Sequence, residues 1–299
     1  MKLPIHAWPA SYEEEARPRM GFFTDTSICI GCKACEVACK EWNGVPESRR
    51  GFTGHSYDNT FDLGANTWRH VAFVEQRKEL GAQAAGGSLV QEATLEQLIG
   101  QAGLGTYQDG DGMRWLMASD VCKHCSDAAC LEVCPTGALF RTEFGTVVVQ
   151  EDICNGCGYC VPACPFGVLD KREQDGRVWK CTLCYDRLKD DREPACAQAC
   201  PTRSIQFGEL DDLRDVAEQR LQALGEAGAA GAQLYLSDSE DGVGGAGAFF
   251  LLLDEPEVYG LPPDPVDATR DVGSTWAATA LAAAGLGAAI AAAVFGGRR

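Results

Sequence analysis

The sequence predicts an α+β protein in which short strands and helices surround cysteine-rich loops, with a single apolar helix near the C-terminal end. Three observations predict this architecture. Sixteen of the 299 residues are cysteine, and they fall into four sets of four. Short runs of β-branched and aromatic residues lie on either side of these sets, which is typical of strands. The stretch from 272 to 297 carries no charged residue.

The charge balance excludes one broad class of function. Lys and Arg number 26 and Asp and Glu number 43, which gives a formal net charge of −17 at pH 7. A nucleic-acid-binding surface needs a basic face, so we expect no nucleic-acid partner. A hydrophobic fraction of 45% excludes a wholly disordered chain. Residues 1–20 are polar and contain no apolar core, so we expect no secretory signal peptide there.

The cysteine spacings are regular. The first and third sets follow the pattern C-x2-C-x2-C-x3-C, and the second follows C-x2-C-x4-C-x3-C. The fourth set has eleven residues between its second and third members. The four sets use every cysteine of the chain, and in order they are Cys29, Cys32, Cys35 and Cys39; Cys122, Cys125, Cys130 and Cys134; Cys154, Cys157, Cys160 and Cys164; and Cys181, Cys184, Cys196 and Cys200.

These spacings suit iron–sulfur clusters. A tight C-x2-C-x2-C loop wraps three corners of a cubane cluster, and its backbone N–H groups point toward the cluster sulfurs. The fourth cysteine points away, and in two-cluster ferredoxins it binds the other cluster. Proline follows Cys134, Cys164 and Cys200, as in that motif, whereas Lys40 follows Cys39. We therefore expect all sixteen cysteines to bind [4Fe-4S] clusters.

Two other uses of the cysteines fit less well. Structural zinc sites take two cysteine pairs separated by a dozen or more residues, and no histidine lies at ligand spacing. His124, inside the second set, is expected to face a loop or a partner. A catalytic thiol is disfavoured because no Cys–His pair singles out a nucleophile. Lysines beside the sets could offset cluster charge or be solvated, and they are Lys33, Lys40, Lys123, Lys171 and Lys180.

Short strands are predicted around the cysteine sets. Residues 40–121 form an insertion between the first and second sets, and 81–112 within it are predicted to be a surface loop with one helical turn around 95–99. An amphipathic helix is predicted over 211–224, and the prolines at 256, 262, 263 and 265 predict an extended linker. The predicted strands are 22–25, 67–74, 115–117, 146–149, 167–169, 204–207 and 248–253.

The apolar stretch predicts a transmembrane helix. Residues 276–296 would span about 31 Å as a helix, which is enough to cross a hydrocarbon core. Trp276 suits an interfacial position. An Ala-rich soluble helix or a flexible tail is the alternative. The resulting domain organisation is an N-terminal arm at 1–21, a cysteine region at 22–209, a helix, strand and linker at 210–266, and an anchor with a short tail at 267–299.

The sequence resembles the beta subunit of respiratory formate dehydrogenase and, more broadly, the four-cluster electron-transfer subunits of the molybdopterin oxidoreductase family. Three stretches carry the resemblance: TDTSICIGCKACEVACKEWN at 24–43, VCKHCSDAACLEVCPTGALFRTEFGTVVVQEDICNGCGYCVPACPFGV at 121–168, and KCTLCYDRLKDDREPACAQACPT at 180–202. The resemblance implies tandem bacterial-ferredoxin-like units that bind four [4Fe-4S] clusters. Some relatives have tryptophan at one ligand position and carry a three-iron cluster, whereas all sixteen positions are cysteine here.

The spacings alone leave open how the sets share clusters. Sequential pairing joins the first set with the second and the third with the fourth, whereas nested pairing joins the second with the third and the first with the fourth. The resemblance implies nesting. It then implies four ligand groups, which we name groups A to D in this order: Cys29, Cys32, Cys35 and Cys200; Cys39, Cys181, Cys184 and Cys196; Cys122, Cys125, Cys130 and Cys164; and Cys134, Cys154, Cys157 and Cys160.

The function predicted from the resemblance is electron transfer without catalysis. Electrons would pass from a molybdopterin (Mo or W) catalytic subunit, with formate dehydrogenase as the leading candidate, to an integral membrane subunit of cytochrome b or quinone-reactive type. The sequence has no nucleophile elbow and no phosphate-binding loop. The alternatives are the same role with nitrate, a sulfur compound or an S- or N-oxide, a polyferredoxin serving a cytosolic enzyme, and a cluster-bearing regulator.

The charges around the apolar stretch predict its orientation. Arg298 and Arg299 follow it, and just before it Asp264, Asp267 and Asp271 outnumber Arg270. The positive-inside bias then places the C-terminus in the cytoplasm and the cysteine region outside the cytoplasmic membrane, which the chain would cross once.

Overall fold

Strands and α-helices follow one another along the described part of the chain. The computed structural model describes residues 17–47, 57–58, 60–77 and 113–296. Its strands are β1 Met20–Asp25, β2 Arg69–Arg77, β3 Met113–Val121, β4 Leu139–Arg141, β5 Val147–Val149, β6 Asp170–Lys171, β7 Val178–Trp179, β8 Ile205–Glu209, β9 Gln233–Tyr235 and β10 Ala248–Leu252. Its α-helices are α1 Ala34–Asn43, α2 Ala129–Glu132, α3 Cys160–Ala163, α4 Tyr185–Lys189, α5 Ala195–Gln198, α6 Leu210–Glu226 and α7 Val272–Gly296.

A four-stranded sheet joins distant parts of the chain, and its strands lie in the order β8-β1-β10-β9. Strand β1 is antiparallel to β8, with Thr24 opposite Ile205, and parallel to β10, with Phe22 opposite Ala248. Because β1 and β8 are antiparallel, the loop that follows β1 and the loop that precedes β8 lie at the same end of the sheet. Cys29 is in the first of these loops and Cys200 is in the second, so the sheet brings the first and fourth cysteine sets together.

Three antiparallel hairpins complete the strand pairing. Strands β2 and β3 pair with Arg69 opposite Val121, which packs the insertion against the start of the second set. Strands β4 and β5 lie between the second and third sets, and β6 and β7 lie between the third and fourth. The loop of the third set packs closely on the β6–β7 turn, since a Cβ on Gly156, whose φ is +72°, would lie 2.3 Å from the carbonyl oxygen of Gly176. Glycine is therefore required there.

Two hydrophobic cores divide the molecule. One contains many of the cysteines themselves, including Cys35, Cys39, Cys122 and Cys181, together with aliphatic and aromatic side chains. The other is built from large apolar residues of β1, β10 and α6, and it contains no fully buried cysteine. The centre of β10 is fully buried, as its five apolar residues predict. The first core therefore depends on what the cysteines bind, whereas the second resembles an ordinary protein interior.

Helix α7 differs from the rest of the protein because none of its side chains is buried. Within Val272–Phe295, an 18-residue window has a mean hydropathy of 2.0. At 1.5 Å per residue, these 24 residues extend about 36 Å. Within the described residues, this is the one helix that is long and apolar enough to cross a membrane.

Most predicted elements are confirmed, with small changes in their bounds. The predicted strands at 22–25, 67–74, 115–117, 146–149, 204–207 and 248–253 correspond to β1, β2, β3, β5, β8 and β10, and the predicted amphipathic helix corresponds to α6. The sequence places Leu213, Val216, Ala217 and Leu224 on one face of α6, but Val216 is 42% exposed while the other three are buried. The loop predicted at 81–112, with its helical turn at 95–99, lies outside the described residues.

Two predictions about local structure are wrong. The strand predicted at 167–169 is absent, because Gly167 forms a turn with its N–H bonded to the Cys164 carbonyl, and pairing begins at Asp170. The segment predicted as an extended proline linker is folded onto the second core. Pro256–Tyr259 is a 3₁₀ turn, Tyr259 and Leu261 are buried, and the Tyr235 hydroxyl donates to the Pro262 carbonyl.

Candidate iron–sulfur sites

Group A brings together cysteines that are far apart in the sequence. Cys29, Cys32, Cys35 and Cys200 line one cavity at the end of the β1–β8 pair. Burial, with the neighbouring Cys35, Cys200 and Cys32, raises the pKa of the Cys29 thiol to about 11. The four thiols therefore face a common space.

Group B forms beside it. Burial, with nearby Cys181, Cys196 and Cys184, raises the pKa of the Cys39 thiol well above its usual value. Asn43, one helical turn after Cys39 in α1, points its amide nitrogen at the sulfurs of both Cys39 and Cys184, each 3.8 Å away. This contact joins the first set to the fourth.

Groups C and D form from the second and third sets. Around Cys125, burial and the nearby Cys122, Cys130 and Cys164 raise the thiol pKa well above its usual value. Burial, with the nearby Cys134, Cys154 and Cys157, raises the pKa of the Cys160 thiol to about 11. In each group the fourth cysteine of one set joins the first three of the other.

The four groups lie in a row. Burial raises the pKa of the Cys35 thiol of group A, and the nearby Cys196 of group B raises it as well. In addition to burial, the nearby Cys122 of group C raises the pKa of the Cys181 thiol of group B. The nearby Cys160 of group D in the same way raises the pKa of the buried Cys130 thiol of group C. The order along the molecule is therefore A, B, C, D.

Both ends of this row reach the surface. Cys32 of group A and Cys157 of group D are exposed, and the other fourteen cysteines are buried or half-buried. Exposed apolar side chains lie beside each end: Ile30 near group A, and Ile153 and Tyr159 near group D. Each end of the row thus offers a route between a terminal cysteine group and another protein.

The thiols favour clusters over single metal ions. All sixteen cysteines are free of disulfide bonds. Among the described residues, which include every cysteine, no three His, Cys, Asp or Glu side chains converge closely enough to hold one metal ion. A zinc ion needs four ligands at about 2.0–2.3 Å, whereas each thiolate of a cubane binds a different iron around a wider object. The donor set of four thiols per group fits a [4Fe-4S] cluster.

The chain's backbone is arranged to stabilise sulfur-centred negative charge. The N–H of Leu183 lies 3.3 Å from the sulfur of Cys181. Although burial raises it, backbone N–H groups at Leu139, Thr136 and Ala138 hold the pKa of the Cys134 thiol below its usual value. Such donors favour the thiolate, which is the form that binds metal.

Buried cations also lie among the groups. Lys180 is 2% exposed, and its ammonium donates to the carbonyl oxygens of Val147 and Cys181. Burial lowers the pKa of Lys180, but the adjacent Cys122, Cys130 and Cys181 together raise it by more. The pKa therefore lies above its usual value. Lys180 thus lies between groups B and C. Of the other lysines considered from the sequence, Lys123 is fully buried and Lys171 is exposed.

Another buried cation, Arg69, was missed by the sequence analysis, as was Asn43. Arg69 belongs to β2, which was predicted as a strand within the insertion but without a functional residue, and it is 2% exposed. The available signal was a charged residue at the start of a strongly apolar run. The prediction for His124 is wrong: it is 1% exposed, and its Nδ1 accepts the N–H of Val147 at 3.1 Å, because that N–H needs an acceptor in the core.

These features define an iron–sulfur protein with ferredoxin-type cysteine loops. The family model described as "4Fe-4S dicluster domain" matches residues 113–210, which contain the second, third and fourth cysteine sets. The chain contains a ferredoxin-like domain and binds [4Fe-4S] clusters.

The chain belongs to the family of formate dehydrogenase iron–sulfur subunits. It is 38% identical over 264 residues to the nitrate-inducible formate dehydrogenase iron-sulfur subunit of Escherichia coli, covering 86% of this chain and 77% of that protein. It is 36% identical to the formate dehydrogenase iron-sulfur subunit of Haemophilus influenzae, over 86% and 73% of the two chains. The B subunit of anaerobic dimethyl sulfoxide reductase of Escherichia coli is 34% identical over 65% of this chain and 75% of its own length. The protein is thus a non-catalytic electron-transfer subunit.

Proposed function

We propose that this chain conducts electrons from a formate-oxidising molybdopterin subunit to a membrane subunit of cytochrome b or quinone-reactive type. The observation that carries the proposal is the row of four four-thiol groups with an exposed cysteine at each end. When bound, [4Fe-4S] clusters supply reversible one-electron transfer. The chain's own residues hold them in sequence, shield the middle of the row from solvent, and leave its ends accessible.

The proposed ligands are the cysteines of groups A to D, one cluster per group, in two ferredoxin-like units. The neighbouring thiols around Cys29, Cys39, Cys125 and Cys160 support this nested assignment over the sequential one. We place groups A to D in a cluster region at 22–209, which residues 210–266 support through the sheet shared by β1 and β10.

The row has a proposed direction. Thr269, three residues before α7, donates from its hydroxyl to the carboxylate of Glu132. Glu132 lies between Cys130 of group C and Cys134 of group D. The segment just before the proposed membrane helix therefore contacts the second cysteine set. We place group D toward the membrane subunit and group A toward the catalytic subunit.

Formate is favoured over other substrates by the extent of the similarity. The formate dehydrogenase relatives align with 86% of this chain, whereas the B subunit of dimethyl sulfoxide reductase aligns with 65%. A dimethyl sulfoxide reductase would use the same row in the opposite direction, because its substrate accepts electrons. The two functions therefore differ in whether substrate reduces or oxidises the clusters.

The experiment uses the complex purified anaerobically through a tag on this chain. Oxidation of formate gives CO₂, one proton and two electrons, so adding formate should produce the EPR signals of reduced clusters. Acetate, which has the carboxylate but no oxidisable C–H on it, is the control and should produce none. Clusters that stay oxidised in formate, but are reoxidised by dimethyl sulfoxide or nitrate after chemical reduction, would assign the chain to a terminal reductase.

We further propose that α7 anchors the chain in the cytoplasmic membrane, with the cysteine region outside and the C-terminus in the cytoplasm. Protease added to intact spheroplasts should then digest the cysteine region, and deletion of 267–299 should weaken membrane attachment. Digestion only in inverted vesicles would place the region in the cytoplasm. Unchanged attachment after the deletion would show that α7 is not the anchor and would favour a polyferredoxin.

A further inference from the structure

Arg69 carries a buried guanidinium with unused hydrogen-bond donors. Its Nη1 donates to the carbonyl and the hydroxyl of Ser119, at 3.2 and 3.0 Å, and the guanidinium lies 4.8 Å from the centre of the Phe22 ring. Nε and Nη2 are buried and have no hydrogen-bond partner among the protein atoms. Buried charged donors without partners are strongly unfavourable, so these two nitrogens require an acceptor that the polypeptide does not provide.

Cysteine side chains of two groups surround Arg69. Burial lowers the pKa of Arg69, but four nearby cysteines together raise it by more, so the pKa lies above its usual value. These are Cys196, Cys35, Cys181 and Cys39. Cys35 belongs to group A, and the other three belong to group B. An arginine guanidinium is always charged in proteins, and this one lies between the first two groups of the row. Ser119 extends the contact, since its hydroxyl lies 3.0 Å from Nη1 and 3.2 Å from the sulfur of Cys35.

We propose that Arg69 is a positioning residue that raises the reduction potentials of the clusters at groups A and B together, by directing its free N–H groups at their sulfurs; the proposal rests on the ligand groups proposed above. Each one-electron reduction adds negative charge, and a cation in a low-dielectric interior stabilises the reduced form. The planar guanidinium can donate in several directions at once, whereas an ammonium acts as a point charge.

The neighbouring lysine does not serve the same purpose. Lys180, between groups B and C, already donates to the carbonyl oxygens of Val147 and Cys181. Arg69 alone among the buried cations of the described row has two orphaned nitrogens between two thiol groups, whereas Arg19 has one and lies near Cys125 of group C.

The test compares Arg69→Met, Arg69→Gln and Arg69→Lys in the full complex by EPR-monitored redox titration, with iron content measured for each. In Arg69→Met, two of the four one-electron steps should move to lower potential, with at least a tenfold rise in the oxidised-to-reduced ratio at the wild-type midpoint, which is about 59 mV. The other two steps should not move. Arg69→Lys should lie between wild type and Arg69→Met, since it keeps the charge but loses the planar donors.

Arg114→Met is the matched control. Arg114 is on β3 of the same hairpin, and its guanidinium pairs with Gln76 and Asp254 instead of thiols. It should leave all four potentials unchanged. If Arg69→Met fails to load iron, the comparison of Arg69→Lys with Arg69→Gln decides: a lower pair of potentials in the glutamine variant supports the proposal.

Four unchanged potentials in fully loaded Arg69 variants would overturn the proposal and leave Arg69 a structural residue. Equal loss of all clusters in the three variants would also overturn the proposal. The positive charge kept in Arg69→Lys would then give no advantage over the uncharged side chains of Arg69→Met and Arg69→Gln. In either case, reduction of the wild-type clusters by formate would still stand, so failure of this inference is distinct from failure of the proposed function.

Discussion

Substituting Cys39 and Cys196 together by serine should cost the protein no more iron than substituting either residue alone. Both residues belong to group B, and Cys196 is among the charged neighbours of the Cys39 thiol. Loss of one ligand already disrupts a cubane held by four thiolates, so the second substitution should find nothing left to remove. The expected loss is about four iron atoms per chain in each of the three variants.

A second pair of substitutions gives the matched comparison. Cys39→Ser combined with Cys125→Ser should remove about eight iron atoms, because Cys125 belongs to group C. Sequential pairing predicts the reverse, since it places Cys39 on the same cluster as Cys125 and apart from Cys196. Iron analysis and EPR of the four variants therefore separate the two assignments. An additive loss in Cys39→Ser with Cys196→Ser would contradict the nested one.

The sequence predicted the cysteine sets and the local elements because both depend on short-range patterns. Strand β10 is a run of apolar residues, and α6 has apolar residues at helical spacing. The grouping of the thiols depends instead on the pairing of β1 with β8, which joins residues 20–25 to 205–209. No spacing within a set reports that contact, so only the family resemblance suggested it, and the ligand groups themselves stay a prediction.

The cations were predicted poorly for a related reason. A lysine or arginine in sequence is most often solvated, and burial of Lys180 and Arg69 is favourable only because thiolates from several sets surround them. His124 was mispredicted in the same way, since its partner Val147 lies on a strand of the next hairpin. Side chains whose partners come from other parts of the chain cannot be assigned from a local pattern.

Removing iron should abolish the cooperative unfolding transition of the cluster-loaded protein. The elements around the cysteines are too short to be stable alone: α2, α3 and α5 have four residues each, and β6 and β7 have two. Burial raises the pKa of the Cys35 thiol to about 11 and that of Cys181 to about 12, so without metal these thiols are protonated at neutral pH. Thiolate–cluster bonds then supply much of the folding free energy in this part of the chain.

The second core provides an internal comparison for this prediction. Phe23, Phe249 and Leu252 are fully buried in it, and the one cysteine packed against it, Cys125, is only partly buried. After chelation, hydrogen exchange should therefore accelerate most in α2, α3 and β4 to β7, and least in β10 and α6. Protein treated with chelator already saturated with iron is the control and should keep the original protection. A sharp thermal transition at the original midpoint after complete iron removal would show that polypeptide packing alone holds the cysteine region, because no cluster would remain to support it.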